Sequence, residues 1–246
     1  MRKMWAILAL ILIVSFSWLG LLGNEIHRQA PPVPSAVVTR SGETVFTRDD
    51  IQTGRQVYQS MGGQQVGSIW GHGGYLAPDW SADWLHRESL VILDGWAEAE
   101  YGRTYGALAA EDQARLQTRL QAAQRENTYD PTTGHITISD DRAAAIAAVS
   151  RHYVDLFGDA HALEGLREDY AIANNAIPDA ARREAMTAFF FWAAWATTTQ
   201  RPDEDVTYTN NWPHEPLVGN APSGPNIMWS IASVILLIAG IAALVW

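Results

Sequence analysis

Cysteine is absent from the 246 residues, and lysine occurs once, at Lys3. The first absence excludes disulfides, thiolate metal sites and the C-x-x-C-H attachment of a covalent haem c, so a domain in this chain holds together by core packing alone. The second, with a formal net charge of −10, argues against a nucleic-acid partner and against attraction to anionic lipid headgroups. The seven histidines, at positions 27, 72, 86, 135, 152, 161 and 214, show no H-E-x-x-H or comparable ligand spacing.

Charge is missing altogether from two stretches, Met4 to Gly23 and Asn226 to Trp246. Each has about the 20 apolar residues that a helix needs to cross a bilayer core. Arg2 and Lys3 precede the first, which predicts a cytoplasmic amino terminus and an exported stretch after it. A cleaved signal peptide is the competing reading, but Leu21-Leu22-Gly23-Asn24-Glu25 lacks an A-x-A cleavage pattern. The expected layout is a transmembrane anchor over 1–23, an exported domain over 24–225 and a second span over 226–246. Because Trp246 falls inside the apolar run with no basic flank, a shortened sequence is also expected.

Within the exported part, residues 30–42 (APPVPSAVVTRSG) are proline-rich and predict an extended leader between membrane and domain. Thr47-Arg48-Asp49-Asp50 resembles a capping box opening a helix with Ile51 and Val57 or Tyr58 inward. Asp79 or Ser81 suits the start of a helix to about Tyr101, and Leu116, Leu120 and Ala123 mark an amphipathic helix over 111–125. The turn chemistry of Asp130-Pro131-Thr132-Thr133-Gly134, followed by alternating His135-Ile136-Thr137-Ile138, predicts a small hairpin. Asp140 or Asp141 then opens a helix carrying Ile146, Val149, Tyr153, Leu156 and Phe157, stopped by Gly158. Residues 160–175 read as a further helix or turn. Pro178 suits the first turn of a helix to about Thr199, whose run Phe189-Phe190-Phe191-Trp192-Ala193-Ala194-Trp195-Ala196 is apolar on every face and predicts a central core helix.

Two blocks stand out. Residues 67–88 read GSIWGHGGYLAPDWSADWLHRE, with three tryptophans and four glycines: a tight loop that runs into a Trp-bearing helix. Residues 207–220 read TYTNNWPHEPLVGN, a polar stretch stiffened by proline, in which Asn210, Asn211, His214 and Glu215 are candidates for a hydrogen-bond network at the membrane surface. From the residues alone, a buried loop-to-helix turn and a plain tether remain open alternatives for the two.

These blocks, with Phe189-Phe190-Phe191-Trp192-Ala193-Ala194-Trp195-Ala196 between them and a span at either end, resemble the amino-terminal region of the quinol-dependent nitric oxide reductases of the haem-copper oxidase superfamily. The resemblance covers essentially the whole chain. It implies a mainly α fold: an anchor helix, an exported cytochrome c-like helical domain with a small β-hairpin and no haem c, then the first helix of a catalytic core. Such enzymes reduce two nitric oxide molecules to nitrous oxide and water with electrons from membrane quinol, through haem b, haem b3 and non-haem iron. The resemblance places those cofactors outside this chain, which lacks the ligand histidines of the core, and assigns it no catalytic residue. It implies calcium ligands at Gly73 and Tyr75, from a Gly-x-Tyr element of the sister branch; calcium accepts backbone carbonyls. His72, Asp79 and Trp80, with Asn211, Trp212, His214 and Glu215, are the expected contacts to the remaining catalytic core. The implied setting is the bacterial cytoplasmic membrane, with residues 24–225 on the periplasmic side.

A two-span membrane receptor with a helical sensor domain is the alternative from a different class. It requires a cytoplasmic output segment after the second span, whereas the reductase reading requires further apolar spans bearing histidines.

Overall fold

The computed structural model describes residues 2–245; Met1 and Trp246, the outer ends of the two expected spans, lie outside the described residues. The chain divides into two units, Met1–Pro32 and Val33–Trp246.

The first unit is one helix, α1 (Arg2–Gln29), with no buried residue. It continues past Gly23 through the polar segment to Gln29, where the Gln29 amide donates to Glu25 at 2.7 Å.

In the second unit a mainly helical domain precedes a long apolar helix, α8 (Gly224–Val245), which again buries no residue. Both α1 and α8 are long and apolar enough to cross a membrane.

The domain begins with strands β1 (Ala36–Thr39) and β2 (Thr44–Thr47) and helix α2 (Arg48–Ser60). The capping box forms as expected: Asp50 N–H donates to the Thr47 hydroxyl at 3.3 Å while Thr47 N–H donates to the Asp50 carboxylate at 2.8 Å. Ile51, Gly54, Val57 and Tyr58 form its buried face. Helix α3 (Trp80–Tyr101) is capped by Asp79, and α4 (Ala110–Arg125) follows. The hairpin is present as β3 (Tyr129–Asp130) and β4 (His135–Ile138), leading to α5 (Asp140–Leu156), a short α6 (Glu164–Asp169) and α7 (Ala180–Thr198).

Four expectations change. Pro178 stands just before α7, whose cap is Asp179, and not in its first turn. The proline-rich stretch is not only a leader, because Ala36–Thr39 enters a four-stranded sheet in the order β2-β1-β4-β3. There β1 pairs antiparallel with β2 and parallel with β4, so that Val37 lies opposite both Phe46 and Ile136. Ser139, not an aspartate, caps α5, its hydroxyl accepting from Arg142 N–H at 3.2 Å. On α4 the third inward position is Gln124; Ala123 is exposed.

Helix α7 is the axis of the core, and every residue from Met186 to Thr198 is buried. It packs so closely on α2 that a β-carbon on Gly54 would stand 2.0 Å from the Ala185 carbonyl oxygen. Aromatic rings fill the remaining space. Trp84 stacks on Tyr153 at 5.4 Å, Trp80 packs edge-on against Phe157, and Phe46 of the sheet reaches Phe191 at 5.7 Å.

Candidate functional site

The glycine-rich loop is organised by one carboxylate. Asp79 Oδ2 accepts from the Ser68 hydroxyl at 2.6 Å and Gly71 N–H at 2.7 Å, and Oδ1 accepts from the Ser81 hydroxyl and, at 3.0 Å, Ala82 N–H. Ser68 Oγ in turn accepts from Gly73 N–H at 2.8 Å, and Ser81 Oγ from Trp70 N–H at 3.2 Å. One buried side chain thus fixes both the start of α3 and the path of residues 68–73. The arrangement needs glycine at 67, where φ is +108° and a β-carbon would meet Trp80 Nε1 at 2.3 Å.

The core anchors this loop from beneath. Tyr58 donates its hydroxyl to the Gly67 carbonyl at 2.8 Å, Trp80 Nε1 donates to the Val66 carbonyl at 2.9 Å, and Trp70 Nε1 donates to the Ala193 carbonyl at 2.9 Å. Burial, aided by the nearby Asp79 charge, pushes the Tyr58 hydroxyl up to about 12, so it stays a donor at any physiological pH.

At the top of the loop Gly74 N–H donates to the Ala77 carbonyl at 2.8 Å, leaving Tyr75 and Leu76 at the tip. Tyr75 is wholly exposed and Leu76 is 60% exposed. Outside the two long apolar helices, the only other exposed large hydrophobic residue among those described is Val91.

The second block meets the first through Trp212. Its Nε1 donates to the Gly71 carbonyl at 3.0 Å, and its ring stands edge-on to His72 at 4.9 Å. Trp212 also lines a groove with Asn226, Ile227 and Trp229, at the start of α8. Trp212 thus fastens the second block to the glycine-rich loop and faces the root of the apolar helix across that groove.

Asn211 is buried and ties the second block to itself, accepting from Thr207 N–H at 3.0 Å and donating to the Ala221 carbonyl at 2.9 Å. Buried Glu215 lies 3.0 Å from His86 Nδ1, across 129 residues of sequence, and its other oxygen accepts from Leu217 N–H at 2.9 Å. Gln117 and Arg125 of α4 donate to the carbonyls of Pro216 and Gly219. Asn210 accepts from Arg201 at 2.6 Å.

The expected site residues thus separate into kinds. His72, Gly73 and Trp212 cluster on one side of the domain with Tyr75 projecting beyond them. Asp79 and Trp80 are buried, Trp80 completely, and shape the loop from within instead of presenting a surface to a partner. Asn211 and Glu215 are buried in the second loop, and His214 is exposed. Sequence reading missed Ser68 and His86, and offered Ser81 only as an alternative cap to Asp79, which is the cap that forms. Ser81 stands two residues from the cap, whereas Ser68 is eleven residues away and nothing local connects His86 to Glu215.

Among the described residues no donor reaches the carbonyl oxygens of Gly73 or Tyr75, so both suit a hard cation. Among the same residues no group of three or more His, Cys, Asp or Glu side chains converges on a common point. This loop therefore supplies at most part of a calcium shell, and the nearby Asp79 carboxylate is already committed to four donors.

A search among curated proteins finds no match. A family model does: that of the cytochrome c-like domain of the nitric oxide reductase chain NorB, which matches residues 34–214, well over half of the chain and all of the helical domain except its last loop. The chain thus belongs to the NorB cytochrome c-like domain family of nitric oxide reductases, in a form whose lack of cysteine rules out a covalently attached haem c.

Proposed function

We propose that this chain is the amino-terminal part of a quinol-dependent nitric oxide reductase and that its helical domain caps the periplasmic face of the catalytic core. In that role it covers the reaction centre, where two nitric oxide molecules give nitrous oxide and water, and its loop closes over buried charged groups that a low dielectric makes sensitive to every contact. The family match supports a place in such an enzyme and does not favour the two-span receptor. Arg2 and Lys3 before the first apolar run support a cytoplasmic amino terminus and a periplasmic domain in the bacterial inner membrane.

The observation that carries the capping role is the pair Tyr75 and Leu76, exposed at the tip of a loop whose base is held by Asp79 and which Trp212 ties to the second block. Exposed apolar side chains on a fixed support mark a contact surface. Haem b, haem b3 and non-haem iron would belong to the remaining transmembrane core. Gly73 and Tyr75 would offer carbonyl oxygens to a calcium ion whose carboxylate ligands come from that core; the ion would supply positive charge between the two parts. This chain's residues position, exclude water and hold the loop, and none is assigned a redox or proton-transfer step.

The test is the double substitution Tyr75→Ser with Leu76→Ser in the intact reductase. Both side chains are solvent-exposed within the domain, so its thermal unfolding should move by less than about 0.5 kcal/mol. Turnover of nitric oxide should fall at least tenfold at unchanged haem content. Unchanged turnover would remove the capping role while leaving the family assignment intact.

A further inference from the structure

At the end of the domain defined by α4 and the β4–α5 junction, a buried ion pair has two unmet hydrogen-bonding groups. Glu88 has no exposed surface. Its Oε1 accepts from Arg142 Nε at 2.6 Å and Gln124 Nε2 at 3.2 Å, and its Oε2 accepts from Trp84 Nε1 at 2.8 Å. The carboxylate is satisfied; its partners are not. Arg142 Nη2, a donor, and Gln124 Oε1, an acceptor, are both buried without a hydrogen bond, in residues only 8% and 1% exposed. Rotating the Gln124 amide by half a turn offers no relief, because it would aim an oxygen at a carboxylate that can only accept.

Both residues line the same cavity of about 60 Å³, whose apolar side is Ile92, Trp96, Leu120 and Ile138 and whose polar side includes Thr128, Thr137 and the exposed Arg40 and Glu126. A water molecule needs roughly 10–15 Å³ measured in this way, so the space suits a few waters and is far below the several hundred Å³ of a site for a drug-sized ligand. The lining charges balance: Arg40 and Arg142 stand against Glu126 and the adjoining Glu88, which gives no preference for an anion or a cation. The unmet donor and the unmet acceptor belong to two residues of the same wall, and a molecule that both accepts and donates would serve both after a small side-chain adjustment.

The geometry points to a structural water site in this cavity, in which a small cluster bonds Arg142 Nη2 and Gln124 Oε1 and solvates the Glu88–Arg142 pair. Water has the right size, neutrality and dual hydrogen-bonding character. The cluster completes a network that the protein leaves open on one side, and allows a wholly buried carboxylate to stay paired without a dry, unsatisfied guanidinium beside it.

Crystals of the full chain, diffracting well enough to resolve ordered solvent, provide the test. The expected result is density within hydrogen-bonding distance of both atoms, and no xenon in the cavity after pressurisation, since xenon favours dry apolar voids. A second arm uses Gln124→Met, which should lose the water nearest position 124 and keep the one on Arg142. An ordered cavity wall without solvent density, or xenon bound there in the unsubstituted protein, would overturn the proposal; the xenon arm holds even if the variant does not fold.

Discussion

The indole of Trp80 lies over the ring of Phe190, centroids 5.7 Å apart and planes 13° from parallel, which joins the first residue of α3 to the central helix of the core. Gly67 packs against the edge of that same indole. Gly67→Ala places a β-carbon 2.3 Å from Trp80 Nε1 and 2.7 Å from the Pro78 carbonyl oxygen, at a φ of +108° that alanine resists. We expect a loss of at least about 2 kcal/mol in urea unfolding followed by tryptophan fluorescence. An unchanged midpoint would mean that the indole is not fixed there.

Two other glycines separate space from conformation. Gly54 of α2 faces the α7 backbone with no room for a methyl group, whereas a β-carbon on Gly95, inside α3, meets nothing within 4 Å. Gly54→Ala should destabilise by about 2 kcal/mol or more, since two helix backbones must part. Gly95→Ala should stabilise by roughly 0.5–1 kcal/mol through lower unfolded-state entropy. A Gly54→Ala variant that melts no lower than the unsubstituted protein would refute the close α2–α7 approach.

The Glu88–Arg142 pair should behave as a unit. Arg142→Met leaves a buried carboxylate without its cation and should cost about 3–5 kcal/mol. Adding Glu88→Leu to it should recover most of that loss, because removing both charges also removes both desolvation penalties. Chemical denaturation of the two single variants and the double variant measures the coupling, and simple additivity would show that the pair does not interact.

His152 supplies a pH dependence. Burial, and then the Arg87 charge, hold its pKa below the ordinary histidine value, and its Nε2 is buried without a partner. The folded state therefore binds this proton less readily than the unfolded chain. The resulting stability is complete above the unfolded value near 6.5 and is lost as pH falls from there towards the lower folded value. His152→Gln should flatten this part of the stability profile, as read from unfolding midpoints at a series of pH values. Parallel profiles for the two proteins would exclude His152 as the source.

Much of the helical framework was legible because it is written locally. Thr47 with Asp50, and Asp79 before Trp80, announce helix starts within four residues, and the all-apolar run on α7 announces a buried axis. What escaped depends on distance. Val37 has one partner nearby, Phe46, and a second, Ile136, about a hundred positions later, and no local period records the distant pairing. Glu88, Gln124 and Arg142 lie on three different helices, and no local pattern marks them as a buried cluster. At the candidate site, the prominence of the glycine block was visible, but the inward turn of Trp80 and the clasp between His86 and Glu215 were not.

Asn226, at the root of α8, donates to the Asn210 carbonyl at 3.2 Å, and Asn210 is held in turn by Arg201. A few residues further on Trp212 grips the Gly71 carbonyl, so the segment that holds the helix root also holds the glycine-rich loop. A displacement of residues 210–212 would therefore pull on both at once, like a clip that closes two pages.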